Sequence, residues 1–408
     1  MNLFFVLIIV IILFDYILEQ YLEYLNSTKR GKTLPKELRD VFNDDEYRKQ
    51  QDYEKTTGKF GYITSTFSLI VMLLMFFFDG FASVDIIAKT ITSNSIIITL
   101  IFFGILMFAS DIINTPFSIY STFVIEEQFG FNKTTVKTFI LDKIKGLFLG
   151  AIIGGILLSA IVLFYNFAGN LFWLYAWGLI SIFMIFITMF YSSLIVPLFN
   201  KQTKLEDGEL KSAIEKFSKK VGFKLDNIYK IDGSKRSTKA NAYFTGIGKK
   251  KRIVLYDTLI NDLNTNEIVA VLAHEIGHYK KKHTISTIII SILQMGLTLY
   301  ILSLFVSNPA LSKALGVNEP SFHIGLVAFG ILYSPISTII GLIMNIISRK
   351  NEYEADMFAK NNFSGEQLIS ALKKLSKNSL SNLTPHSAYV FFHYSHPTLL
   401  QRIINLNK

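Results

Sequence analysis

Long apolar runs constrain this chain more than any other feature. Stretches long enough to cross a bilayer recur about seven times, near residues 3–22, 60–79, 95–113, 147–166, 171–196, 285–306 and 324–347. Inside hydrocarbon a backbone must satisfy its own hydrogen bonds, so runs of this length fold as helices. The expected fold class is mainly α: a polytopic membrane protein with about seven transmembrane helices. Composition agrees, because half of the 408 residues are hydrophobic and only 18% are charged, against about a quarter in soluble domains. Asp15 and Glu19 lie within the first run and Asp111 lies near the end of the third, so these two runs are the least regular. Met1 to Phe14 has no basic flank and no small-residue cleavage site follows it, so the first run reads as a retained span.

Positive charge alternates between loops. Loop 25–59 carries nine Lys or Arg and loop 113–146 carries four, and residues 197–284 and the tail after 347 are also basic. The intervening loops hold Lys89, nothing in 166–170, and Lys313. This positive-inside pattern puts the N-terminus outside and the C-terminus in the cytoplasm, with both polar regions on the cytoplasmic side. The net charge of +10 then reports orientation and contact with anionic lipid. No nucleic-acid recognition motif accompanies it, so no nucleic-acid partner is expected. The absence of cysteine excludes disulfides, a thiol nucleophile and a cysteine-ligated metal.

Two polar regions are long enough to fold. Residues 197–284 read as a helix near Gly208–Val221, strand-like pieces around Ile228–Ile231 and Arg252–Tyr256, and a closing helix from about Glu267, with Thr265 as N-cap. Residues 348–408 read as helices broken near Asn362–Gly365 and at Pro385. The expected organisation is a membrane domain over 1–196 and the first part of a small α+β catalytic domain over 197–284. Two further transmembrane helices follow over 285–347, and the second catalytic part over 348–408.

The closing helix of the first polar region carries His274-Glu275-Ile276-Gly277-His278. Two His at i and i+4 share one helix face, so both imidazoles can bind one zinc ion. Glu275, beside the first of them, can act as general base toward water at that ion. The alternative is a surface helix with two incidental histidines, but the apolar flank 268–273 marks a buried one, where unpaired ionisable groups are costly. A catalytic zinc needs a third protein ligand and an open fourth position. After His278 the chain crosses at 285–306 and returns at 324–347, which brings Glu352 back to the same side. Asp356, one turn on, can orient a ligand His through its free N–H. Glu354 lies about 200° around that helix from Glu352 and should point away. His396 and Arg402 could stabilise an oxyanion, although from the residues alone a turn ending a helix, with an incidental His, is the simpler account of Ser395-His396-Pro397. His283, His323, His386 and His393 have no assignable role.

Several of these stretches resemble the type I CAAX prenyl proteases, seven-span, gluzincin-like zinc enzymes that cut near farnesylated C-termini. The resemblance covers nearly the whole chain. It runs through Ile125-Glu126-Glu127-Gln128-Phe129-Gly130-Phe131-Asn132-Lys133, Pro197-Leu198-Phe199-Asn200-Lys201, Asp232-Gly233-Ser234-Lys235-Arg236-Ser237, Asn241 to Gly246 and Lys251 to Leu259. The zinc motif, Glu352 to Asp356, and Ser395-His396-Pro397 with Arg402 follow in the family's order. The resemblance implies one zinc per chain on His274, His278 and Glu352, Glu275 activating water, Asp356 behind a ligand, and His396 and Arg402 facing the scissile carbonyl. It implies an edge strand at Asn241, Ala242 and Tyr243 that pairs with the substrate backbone, and a water-filled chamber enclosed by the spans.

The expected function is a membrane zinc endopeptidase cutting C-terminal, prenylated or hydrophobic peptides, a farnesylated CAAX peptide among them. The expected location is a lipid bilayer: a bacterial cytoplasmic membrane, in keeping with the Ile-, Asn- and Lys-heavy composition, or the endoplasmic reticulum if the source is eukaryotic. Two alternatives compete. An HtpX-like quality-control protease would share the motifs but have fewer spans. A non-catalytic scaffold with structural zinc would need a fourth protein ligand.

Overall fold

The computed structural model describes residues 2–223, 228–245 and 252–408. Gly246 and Lys251, at the margins of two stretches quoted above, lie outside them. Among the described residues five helical stretches are long and apolar enough to cross a membrane: Leu3–Ser27, Asp44–Phe77, Ser95–Glu126, Val136–Phe199 and His283–Phe305. Phe322–Leu332 and Ser334–Asn362 form one more such stretch, bent by 54°. The protein is thus mostly helical and polytopic.

Val136–Phe199 is not one rod. At 64 residues it would be about 96 Å long, three times the hydrocarbon thickness. Gly169, with φ at +53°, interrupts it, and helices Val136–Ala168 and Phe172–Leu194 pack on each other across this turn. Tyr165 meets Phe172 edge-on there, with ring centroids 5.4 Å apart.

Two spans differ from their expected form. The helix from Ser95 runs past Asp111 to Tyr120 and then into a π-helical turn, Ser121–Glu126. Asp111 does not end it because Lys143 pairs with its carboxylate at 2.8 Å. The last apolar run breaks at Tyr333, because Pro335 occupies the first turn of the following helix and has no amide hydrogen to continue the preceding one.

Among the described residues the 197–284 region holds a four-stranded sheet, with β1 Gln202–Lys204, β2 Ile228–Ile231, β3 Ala242–Thr245 and β4 Arg252–Tyr256. Their order is β1-β2-β4-β3, with β2 and β4 parallel and the outer strands antiparallel to their neighbours. β2 and β4 coincide with the apolar runs in the sequence. β1 is too short and β3 too mixed to declare itself by periodicity. Ile253 and Leu255 of β4 pack with Ile268, Leu272 and Ile276 of helix Thr265–Lys280 and with Ile214 and Phe217 of helix Glu209–Lys220. The N-cap of helix Thr265–Lys280 is Asn264 and not Thr265. Asn264 accepts from the Glu267 amide at 3.0 Å and Glu267 accepts from the Asn264 amide at 2.9 Å, closing a capping box.

The segment leading into β3 is tied to the membrane helices. Arg236 forks onto Asp142 at 2.7 and 2.9 Å and donates to the Phe199 carbonyl at 2.8 Å. Lys239 donates to Glu126 at 2.8 Å and lies 4.3 Å from the Phe131 ring centroid. The π-helical turn ends at Glu126, which turns this carboxylate toward the sheet.

A buried imidazole–carboxylate contact holds the far end of the bent stretch. His323 Nε2 lies 2.7 Å from Asp85 Oδ1, and Lys89 donates to the other oxygen at 2.7 Å. Both Asp85 and His323 are buried. Removing Asp85 takes the carboxylate partner from a buried imidazole, so Asp85→Ala should cost about 1–3 kcal/mol. Its thermal midpoint in detergent should fall while zinc content at saturating metal stays the same.

Candidate metal centre

Three elements build the site. Helix Thr265–Lys280 presents His274 and His278, helix Ser334–Asn362 presents Glu352 and Asp356, and the loop before helix Leu399–Asn407 presents His396. The two long helices approach closely because Gly277 faces Ala355; a Cβ on Gly277 would sit 3.1 Å from the Ala355 Cα and carbonyl oxygen. A larger residue at 277 would push the carboxylate away from the imidazoles.

His274 and His278 converge with their Nε2 atoms 3.2 Å apart. Glu352 lies 3.3 Å from His274 Nε2 through Oε2, and 3.2 Å from His278 Nε2 through Oε1. A tetrahedral zinc with bonds of about 2.0–2.1 Å has ligand–ligand edges of about 3.3–3.4 Å. Each pair of residues makes one contact near that length, through different Glu352 oxygens, and one donor atom from each of the three lies within 4.8 Å of the others. The buried Glu352 Oε2 has no hydrogen-bond partner, as expected of an atom reserved for a cation. Burial opposes a charged His274, but the carboxylates of Asp356 and Glu352 outweigh it and lift its pKa to about 9. The same field favours a metal cation at Nε2.

Each histidine is held from behind. His274 Nδ1 lies 2.9 Å from Asp356 Oδ1. Arg402 in turn clamps Asp356, with Nε 2.9 Å from Oδ2 and Nη2 2.5 Å from Oδ1. This leaves Arg402 Nη1 3.9 Å from Glu352 Oε2. The guanidinium is buried, yet the adjoining Asp356, Glu352 and Glu275 carboxylates raise its pKa against that burial. Behind His278 stands His283, with the two Nδ1 atoms 3.1 Å apart, and His283 Nε2 is 3.4 Å from Glu354. Glu354 does point away from the metal donors, but onto a partner that spacing alone did not reveal. A carboxylate two residues from a ligand Glu, together with a His five residues after His278, was the available signal.

His396 is open to solvent, and its Nε2 lies 3.3 Å from Glu352 Oε1. Arg349 and Asn345 fix this loop by donating to the Tyr394 carbonyl at 2.6 Å and the Phe392 carbonyl at 2.8 Å. Glu275 is half-buried and shares a small cleft with Ala242 and Tyr243. β3 is the terminal strand of the sheet among the described residues. Asn241, just before it, accepts from the Tyr256 amide through its carbonyl at 3.1 Å and from the Ala242 amide through its side chain at 2.8 Å.

Paired imidazoles, a facing carboxylate, an adjacent free Glu and a neighbouring sheet edge, set on membrane helices, define an integral membrane metallopeptidase. Comparison with known proteins narrows the class. The profile "CAAX prenyl protease N-terminal, five membrane helices" matches residues 23–201, and that of peptidase family M48 matches residues 204–408. CAAX prenyl protease 1 of Saccharomyces cerevisiae is 38% identical over 95% of this chain and 92% of its own length. The Dictyostelium discoideum homolog is 35% identical over 96% and 95%, and the human homolog 29% over 91% and 88%. The crystal structure of S. mikatae Ste24p superposes with a TM-score of 0.93 at 36% identity, covering 100% of this chain and 99% of that one. The chain belongs to peptidase family M48, within its CAAX prenyl protease 1 group. That full-length kinship favours it over the quality-control protease and scaffold alternatives.

Proposed function

We propose that this protein uses one zinc ion, held by His274, His278 and Glu352, to hydrolyse peptide bonds near the C-terminus of prenylated CAAX-type or similarly hydrophobic peptides. The observation that carries the zinc assignment is the convergence of one donor atom from each of the three residues to within 4.8 Å of one another. Held by these residues, zinc would supply Lewis acidity, lowering the pKa of water and polarising a carbonyl. Glu275 accepts the proton of the attacking water and returns it to the departing amine. His396 donates to the developing oxyanion from the solvent side. Arg402 adds positive charge beside Glu352 and keeps Asp356 ionised, and Asp356 holds His274 in the tautomer whose Nε2 lone pair faces the metal. Asn241, Ala242 and Tyr243 supply the edge against which the substrate backbone pairs as an added strand. Ala242 and Tyr243 border the cleft that holds Glu275, which supports this pairing.

The same reading extends to topology. Counting the Val136–Phe199 hairpin as two crossings and the bent stretch as one gives seven. The Lys and Arg bias of the loops then puts the catalytic parts, 197–284 and 348–408, on the cytoplasmic side. The division near residue 196 lies close to the boundary between the two family matches, at 201 and 204. The relatives are eukaryotic CAAX proteases, which favours an endoplasmic-reticulum-type membrane.

Purified protein should contain one zinc per chain and cleave a farnesylated CAAX peptide. Chelation should remove both metal and activity, and added zinc should restore both. Cleavage that persists after complete zinc removal would overturn the assignment.

A further inference from the structure

We propose that His283 is the positioning residue for the metal ligand His278, and that Glu354 fixes the tautomer in which His283 does so. The proposal rests on the zinc reading above and concerns a group outside its ligand set. His274 has a carboxylate behind its Nδ1, whereas the partner of His278 Nδ1 is a second imidazole, 3.1 Å away. A histidine that ligates through Nε2 carries its proton on Nδ1. The His278 Nδ1–H therefore donates, and His283 Nδ1 must accept. That leaves the proton of a neutral His283 on Nε2, which faces Glu354 Oε2 at 3.4 Å. Donor polarity runs one way, from His278 to His283 to Glu354, and ends on a carboxylate whose side chain is 39% exposed. The opposite polarity would put the His278 proton on Nε2, against the metal.

The backbone is shaped to make this contact. Lys282, between helices Thr265–Lys280 and His283–Phe305, has φ of +61° and ψ of 25°. A non-glycine residue in this left-handed region costs about 1 kcal/mol and persists where its surroundings require it. The turn folds the first residue of the membrane helix back onto the last turn of the zinc-motif helix. His283 is 6% exposed, and its ring centroid lies 5.2 Å from that of His278. One helix thus supplies a ligand and the supports behind both histidines: Glu352 to the metal, Asp356 behind His274, and Glu354 behind His283.

Zinc affinity of the full chain in detergent, measured by competition with a chromophoric chelator, tests this. His283→Phe keeps the ring volume and removes the acceptor. It should weaken zinc binding about 10–100-fold and leave the peptide KM unchanged at saturating zinc. His283→Asn, whose amide oxygen takes the place of the Nδ1 acceptor, should recover most of the loss. Glu354→Ala, at a more exposed position, should weaken zinc about threefold or more without touching the ligands, and it serves if His283→Phe fails to fold. Zinc affinity within twofold of the parent in His283→Phe, or in Glu354→Ala where the first does not fold, would overturn the proposal. So would a His283→Asn variant as weak as His283→Phe. A parent protein that binds no zinc would instead overturn the zinc reading itself.

Discussion

Replacing Glu275 with Gln leaves zinc bound at one per chain and lowers kcat by about 10²–10⁴-fold, the usual contribution of a positioned general base. The prediction separates chemistry from metal binding. Glu275 is not among the three donors that converge within 4.8 Å of one another, so its charge can be removed without dismantling the donor set. It is half-buried beside Ala242 and Tyr243, where an amide of the same shape fits without a cavity. The substrate KM should therefore change little, since the edge of β3 is intact. Steady-state cleavage of a farnesylated CAAX peptide, with metal analysis of the same sample, reads both quantities. Wild-type cleavage by the zinc-loaded variant would remove Glu275 from the mechanism.

The parts of this site that follow from local spacing are legible without coordinates. His274 and His278 share a face because a helix turns once in about 3.6 residues, and the apolar flank of the motif announces a buried helix. Glu352 could be placed beside them only by counting crossings, an argument of topology that works because a membrane allows a chain few routes back. What stayed hidden depends on tertiary contact. His323 finds Asp85 across 238 residues, and no periodicity links them. Arg402 was expected at the scissile carbonyl; its strongest bonds go to Asp356, a pairing set by how the last helix docks. β3 was expected only through the family resemblance: its own residues, Ala-Tyr-Phe-Thr, do not alternate clearly, and it is a strand because β4 pairs with it. The bend at Tyr333 was readable in Pro335, but continuous hydrophobicity masked it.

Replacing Glu352 with Gln should abolish zinc retention and cleavage together. Structural zinc sites bind with about 10–16 kcal/mol in total, so one ligand of three or four is worth about 3–4 kcal/mol, or about 10²–10³-fold in affinity. The loss should exceed that from any supporting residue. Asp356→Asn, which spares the ligands but loosens the orientation of His274 and the Arg402 clamp, should weaken zinc by about 10–100-fold. The reason for the ordering is electrostatic as well as coordinative. His274, His278, His396 and Arg402 all lie within 4 Å of the Glu352 carboxylate, which is the negative charge central to the pocket. Without it, bringing a divalent ion beside Arg402 becomes repulsive. Chelator competition on both variants measures the ranking, and thermal unfolding in excess chelator shows whether the metal-free fold is preserved. A Glu352→Gln protein that folds and holds zinc as tightly as its parent would exclude this carboxylate as a ligand, because nothing else on helix Ser334–Asn362 faces both imidazoles at bonding distance.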